Sequence, residues 1–319
     1  MTGSAAMQVA TLTREERARW AGLERARAAS GARALAAPMV VGAMAAGWAG
    51  AFAYLAIQRH LAGGSHAEDL GFTDQVLSNF LRGEWFRMSI YQGATWNTEI
   101  DLSRLARPDS LLAFHVEPML LLLVPLYALG GMLALLGLQA VAVAAGALPA
   151  YRLGRHWSGS QAAGVAVAAA YLLSPLGQWA VLADFHTSTL AAPLLLLALE
   201  RLIVHRSRHL AVGLAALALT AREDVGPVVA ALGVALLWRE RRTGLVLAAL
   251  GLVWTAACVV ILRTYSGGAS PFDSIRLGNY LRDGVAAVWH GAAYQRFREQ
   301  LYSSDPPASC RNCGLAWSL

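Results

Sequence analysis

An all-α, polytopic membrane protein is what this sequence predicts, and three observations carry the prediction. Apolar side chains make up 56% of the chain against 14% charged, with a mean hydropathy of +0.45, far from an ordinary soluble domain. Several apolar runs are long enough to cross about 30 Å of hydrocarbon as helices. Short arginine clusters punctuate those runs, and such clusters set the orientation of membrane helices.

The first apolar run, 38–57, follows an arginine-rich arm, 1–37. No cleavable signal peptide is apparent, so this run reads as a signal anchor. Further runs of spanning length are 131–151, 161–181, 187–204 and 244–262. The stretches 210–221 and 225–238 are individually short, and 119–129 is apolar but too short to cross alone.

Arginine then chooses among topologies. Arg14, Arg17, Arg19, Arg25, Arg27 and Arg33 precede the first run; Arg152 and Arg155 follow the second, Arg206 and Arg208 the fourth, and Arg239, Arg241 and Arg242 follow Trp238. One arrangement places every cluster in the cytoplasm. In it, 119–129 does not cross and 210–238 is a hairpin with its tip outside. The expectation is about seven spans in the plasma membrane with a cytoplasmic N-terminus. The chain then divides into the arm 1–37, a transmembrane domain 38–262 with an external loop 58–130, and an external segment 263–319. A net charge of +6 arises from these clusters and gives no nucleic-acid footprint. All basic side chains other than histidine are arginine, and three cysteines make no disulfide framework.

The external loop reads as helical. Phe72, Val76, Leu77, Phe80 and Leu81 recur at helical spacing, while Trp85, Phe86, Tyr91 and Trp96 suit a membrane interface. The segment 111–129 is expected to be a helix lying at or dipping into the outer leaflet.

That topology has a chemical consequence. Ionisable residues at membrane depth are costly and persist where they pair, face a cavity or act on a substrate. Asp74, His115, Glu117, Asp184, His186, Arg222, Glu223 and Asp224 all fall on the outer side and are expected to line one cavity. The helices flanking Arg222-Glu223-Asp224 are only about 18 and 21 Å long at 1.5 Å per residue, which sinks these charges below the surface.

Gly71-Phe72-Thr73-Asp74-Gln75, Phe114-His115-Val116-Glu117-Pro118, Leu138-Gln139 with Gly146-Ala147-Leu148-Pro149-Ala150-Tyr151, Asp184-Phe185-His186 and Arg222-Glu223-Asp224 resemble, in that order, the predicted membrane proteins of the domain-of-unknown-function 2079 family. The resemblance covers about 50–262. That family in turn resembles the GT-C group of polytopic glycosyltransferases, a likeness at the level of fold. It implies an acidic residue in the first external loop, a second acid after the third span, and a helical hairpin carrying a basic residue near Gly-Pro. Asp74, Asp184, and Arg222 with Gly226-Pro227 match those positions. The relatives are expected to continue with more spans beyond Leu262, and 305–319 looks unlike them, as a truncated or frame-shifted end would.

In GT-C enzymes a sugar passes from a polyprenyl-phosphate donor to an acceptor. The resemblance casts Asp74 and Asp184 as catalytic carboxylates, one orienting or deprotonating the acceptor. Arg222 would hold the phosphate, since guanidinium is bidentate toward it and stays charged when partly buried, and His115, Glu117, His186, Glu223 and Asp224 would complete the binding site.

Simpler roles compete for each residue. Asp74 could cap the helix that follows it. Arg222, Glu223 and Asp224 could neutralise one another, Asp184 and His186 could cap and orient the helix starting at Thr187, and His115 with Glu117 could be structural. No cofactor is required, although carboxylate and imidazole also suit a divalent metal. Cys310-Arg311-Asn312-Cys313 is a lone pair and makes no zinc site. The partners implied are membrane lipids and a lipid-linked sugar donor, and the arm is a solvated segment attracted to anionic headgroups. The alternative function is a non-enzymatic transporter or assembly subunit. It calls for charges on both faces and an internal repeat, neither of which the sequence displays.

Overall fold

The computed structural model describes residues 14–89, 106–268, 284–301 and 303. Tyr91, Trp96, Cys310, Cys313 and 305–319 lie outside them, as do the side chains of the arm before Ala36. The described residues are helical and contain no strand; a single bridge joins Arg87 to Ser110. The helices are α1 (Arg14–Leu61), α2 (Phe72–Leu81), α3 (Met119–Ala145), α4 (Ala147–Ser158), α5 (Gln161–Leu172), α6 (Pro175–Leu182), α7 (Thr187–Ile203), α8 (Arg208–Leu219), α9 (Val225–Leu236), α10 (Arg241–Ser266), α11 (Val285–Trp289) and α12 (Ala292–Leu301).

Ala36–Leu61, Met119–Ser158 and Arg241–Ser266 are long and apolar enough to cross a membrane, and α5 with α6 adds a fourth if that bent pair is one span. Their side chains leave much apolar surface uncovered, with Leu129 87% and Val253 68% exposed. Lipid can cover such surface and water cannot do so cheaply. Helices α8 and α9 have 12 residues each, about 18 Å, and α7 has 17.

The breaks follow from local chemistry. Ser174 precedes Pro175 and is extended (φ −58°, ψ 121°), because a proline disfavours helical geometry in the residue before it. The axis turns by 42° there, so 161–181 is two helices. Met119–Ser158 has 40 residues, about 60 Å as straight helix and twice the hydrocarbon thickness. Gly131 interrupts it with φ 59° and ψ −152°, a backbone that residues other than glycine resist. The helix expected over 111–129 differs from the structure. Leu111–Ala113 is a 3-10 turn and the α-helix begins only at Met119, since Pro118 disfavours helix at Glu117.

The chain divides into two units. The first comprises Met1–Gly64, Leu136–Asp184 and Thr189–Ala215. Here α1 packs against α4, α5 and α6 around Val41, Ala144, Ala147, Tyr151, Ala168 and Leu172. Tyr171 donates its hydroxyl to the Val143 carbonyl at 2.8 Å, and a Cβ on Gly146 would stand 2.2 Å from that hydroxyl. Two buried carboxylates are matched inside this unit. Asp184 meets Arg59 Nη1 at 2.8 Å, while Glu200 meets Arg152, Arg201 and His205.

The second unit comprises Ser65–Leu135, Phe185–Ser188 and Ala216–Leu319. The amphipathic helix of the loop is α2, which buries Phe72, Val76, Leu77 and Phe80 and leaves Leu81 exposed. Phe86 meets Phe80 edge-on, with centroids 5.0 Å apart. Helices α9 and α10 run antiparallel with glycine facing backbone. A Cβ on Gly233 would lie 2.2 Å from the Ala248 nitrogen, and one on Gly251 would lie 2.4 Å from the Ala230 nitrogen. Small residues permit this approach, a recurrent device between helices in lipid.

Candidate functional site

Three pieces of the second unit converge through backbone and hydroxyl contacts. The Met119 N–H, left without an intrahelical partner at the start of α3, donates to the Thr220 carbonyl just past α8 at 2.8 Å. Thr187, the first residue of α7, donates its hydroxyl to the next carbonyl, Ala221, at 2.7 Å. These ties hold the His115–Glu117 stretch beside the Arg222–Asp224 turn.

Glu223 fixes the centre. One carboxylate oxygen accepts from His115 Nδ1 at 2.9 Å, and the other accepts from the Val116 backbone N–H, also at 2.9 Å. Burial alone would lower the imidazole pKa, but the Glu223 hydrogen bond and the charges of Glu117 and Glu223 hold it above its ordinary value. Burial would raise Glu223, yet the His115 hydrogen bond and charge, together with the Val116 N–H, hold it low. The two form an imidazolium–carboxylate pair.

Glu117 behaves differently. It is 6% exposed, and desolvation raises its pKa despite His115, Thr187 and Arg222. Its carboxyl is hydrogen-bonded to Thr187, whose single proton already goes to Ala221. Burial outweighs that contact and the nearby cations, and the shift is toward the protonated acid.

Arg222 spans the edge of this group. Its Nη2 meets Asp224 at 2.8 Å, while its Nε is buried without a hydrogen-bond acceptor. Its carbonyl accepts from Trp254 Nε1 at 3.4 Å. The guanidinium charge acts on both His115 and Glu117. Asp224 is largely exposed, at 55%.

His186 lies 3.4 Å from Asp69 through Nε2. That hydrogen bond, with the charges of His186, His66 and His115, keeps the Asp69 pKa low against burial. Carboxylate and imidazole donors of this kind are also those a divalent ion takes.

His115, Glu117, Arg222 and Glu223 thus come together, with Asp224 at the rim and His186 reaching the same field through Asp69. Asp74 is exposed and accepts from the Tyr127 hydroxyl at 2.7 Å. It makes no capping bond to its helix, whose N-cap is Gly71. Asp184 lies in the first unit, 2% exposed, against Arg59. Asp69, Thr187, Tyr127 and Arg59 complete these contacts although no motif singled them out. Each is an ordinary residue type within or beside an apolar segment, and only the fold gives it a partner.

The five motifs all fall inside residues 65–308, which match the family model for predicted membrane proteins, DUF2079. The chain belongs to the DUF2079 family. The match runs past Leu262, so the family likeness extends further along the chain than those motifs. No curated protein and no solved structure matches this DUF2079 chain. Membership, with the apolar helices, makes it an integral membrane protein of all-α architecture.

Proposed function

We propose that this protein is a GT-C-like glycosyltransferase that uses a polyprenyl-phosphate-linked sugar at the outer face of the plasma membrane. The topology that goes with it has about seven spans, a cytoplasmic arm 1–37, a transmembrane domain 38–262 and an external segment 263–319. One observation carries the reading: a His115 imidazolium, fixed by Glu223, stands beside an Arg222 guanidinium whose buried Nε lacks an acceptor. Two cations held this way suit a phosphate leaving group, whose negative charge grows as its bond to the sugar breaks.

In the proposed transfer the acceptor oxygen attacks the anomeric carbon and the bond from that carbon to the phosphate oxygen breaks. The electron pair leaves with the phosphate. The acceptor proton passes to a carboxylate, for which Asp74 is the candidate because it is exposed and ionisable, with Tyr127 orienting it. Burial shifts Glu117 toward its protonated form beside the cations, which lessens the negative charge where the phosphate would sit. Asp184, matched by Arg59 within the first unit, takes no part in this proposed step.

The test is transfer of labelled sugar from a polyprenyl-phosphate donor by the purified full chain, together with donor binding. Arg222→Ala should abolish donor binding. Arg222→Lys keeps the charge but loses the two-pronged geometry, and should retain part of it. Donor binding unchanged in a well-folded Arg222→Ala protein would overturn the assignment.

The transporter or assembly reading gains from one feature. Glu200 is buried near the end of α7, thirteen residues after Thr187 on the same helix, so ionisable groups occur towards both ends of that helix. Substrate uptake into vesicles without any transfer product would favour it.

A further inference from the structure

We propose that the basic groups gathered on Glu200 form a docking site for the phosphate of an anionic glycerophospholipid headgroup. Glu200 has no solvent exposure and lies in the last turn of α7. Arg152 Nη1 stands 3.2 Å from its Oε1, His205 Nε2 stands 3.0 Å from the same oxygen, and Arg201 Nε is 3.1 Å from Oε2. All four residues belong to the first unit.

One carboxylate cannot neutralise two guanidinium groups. Two positive charges less one negative charge leave an excess of one, and of two when His205 is protonated. The carboxylate uses little of the donor capacity. Arg152 reaches it through a single nitrogen, and the Arg201 Nε contact lacks hydrogen-bond geometry. Arg152 and Arg201 are 34% and 29% exposed, so the remaining N–H edges can reach a ligand. A planar guanidinium fork matches a phosphate better than any other side chain does.

The surroundings identify the source of that phosphate. Glu200 and Arg201 sit in the last turn of α7, and Trp157, in the last turn of α4, is 67% exposed. Arg155 shares that last turn with Trp157, and an exposed tryptophan with arginine at a helix end marks the level of lipid headgroups. The turn that returns His205 to Glu200 is held by Val204 N–H to the Glu200 carbonyl and Ser207 N–H to the Arg201 carbonyl, both at 2.9 Å. Arg206 takes a left-handed backbone within it, at φ 56°, so the basic turn has one defined shape.

The experiment measures the melting temperature of the purified full chain in detergent as lipid is added. Phosphatidylglycerol should stabilise it, while phosphatidylcholine and inorganic phosphate at matched concentration should not. Arg201→Gln should weaken the phosphatidylglycerol midpoint about fivefold, the value of one arginine near an anionic surface. Glu200→Gln keeps both guanidinium groups and should bind at least as tightly as the unmodified protein. Relative to Glu200→Gln, the double variant Arg152→Gln/Glu200→Gln should lose about fivefold, and it strands no buried charge. Equal stabilisation by phosphatidylcholine and phosphatidylglycerol would overturn the proposal, as would an unchanged midpoint in Arg201→Gln. Equal stabilisation by inorganic phosphate would overturn the lipid as its source. If the double variant does not fold, Arg201→Gln and Glu200→Gln still decide the matter.

Discussion

His115 and Glu223 are 108 positions apart in the chain and meet at 2.9 Å. Their contact joins the stretch before α3 to the turn after α8, and the Val116 N–H on the second oxygen of Glu223 fixes the carboxylate in orientation as well as place. The pair holds the imidazole pKa above its ordinary value, which favours the cationic form a ligand anion would meet.

Stability should follow the titration of this pair. The His115 pKa is raised from 6.5, so its contribution is full below that value and is lost as pH rises through the folded-state pKa. The Glu223 pKa is lowered from 4.5, so its contribution is full above that value and is lost as pH falls through the folded-state pKa. The melting temperature should therefore peak between about pH 4.5 and 6.5. Glu223→Gln should flatten the profile and cost about 2 kcal/mol at the peak, as loss of charged hydrogen bonds does. A Glu223→Gln protein with an unchanged profile would show that the pair does not act in this way.

Glu117 should give the opposite result to Glu223. Its pKa is raised by burial, so the folded state favours its protonated form. Its contribution is greatest below the unfolded-state value and is lost as pH rises through the folded-state value. Glu117→Gln preserves a neutral, hydrogen-bonding side chain there, and should raise the melting temperature at pH 8 while changing little at pH 4. Destabilisation at pH 8 would mean that the ionised carboxylate is the form the fold uses.

The Asp184–Arg59 pair allows a structural role to be measured directly. Arg59→Gln removes the guanidinium 2.8 Å from a carboxylate whose side chain is 1% exposed, and should cost about 3–5 kcal/mol. Asp184→Asn leaves a cation that is 32% exposed and able to reach water, so it should cost less. The double variant Arg59→Gln/Asp184→Asn should recover much of the loss in a detergent melting cycle. Strictly additive losses would show that the two residues do not act as a pair.

How far the sequence reaches can be seen in particular residues. Hydropathy locates the long apolar helices, and the period of Phe72, Val76, Leu77 and Phe80 marks α2, because burial in a helix requires that spacing. Proline and glycine at Pro118, Gly131 and Pro175 decide where apolar runs break, and Pro118 is why 111–129 is not one helix. Sequence alone also groups His115, Glu117, Arg222 and Glu223 by the side of the membrane they should share. It cannot show that Glu223 turns to His115, that Tyr127 answers Asp74, or that Glu200 gathers three basic groups. Those pairings depend on how helices pack at long range. No spacing rule encodes that packing.

Asp74 offers the sharpest separation between chemistry and architecture. It accepts from Tyr127 at 2.7 Å, stands exposed, and makes no capping bond, so the ~1 kcal/mol typical of a lost cap should not appear when it is changed. Asp74→Asn keeps an oxygen for Tyr127 but cannot take a proton at neutral pH. It should leave the melting temperature within about 0.5 kcal/mol of the original while abolishing transfer from a polyprenyl-phosphate donor. Tyr127→Phe removes only the hydrogen bond to Asp74 and should reduce turnover less, since the carboxylate remains and loses only its orientation. Full turnover in a well-folded Asp74→Asn protein would take this carboxylate out of the reaction. Equal loss in Tyr127→Phe and Asp74→Asn would mean that the tyrosine, rather than the carboxylate, meets the acceptor.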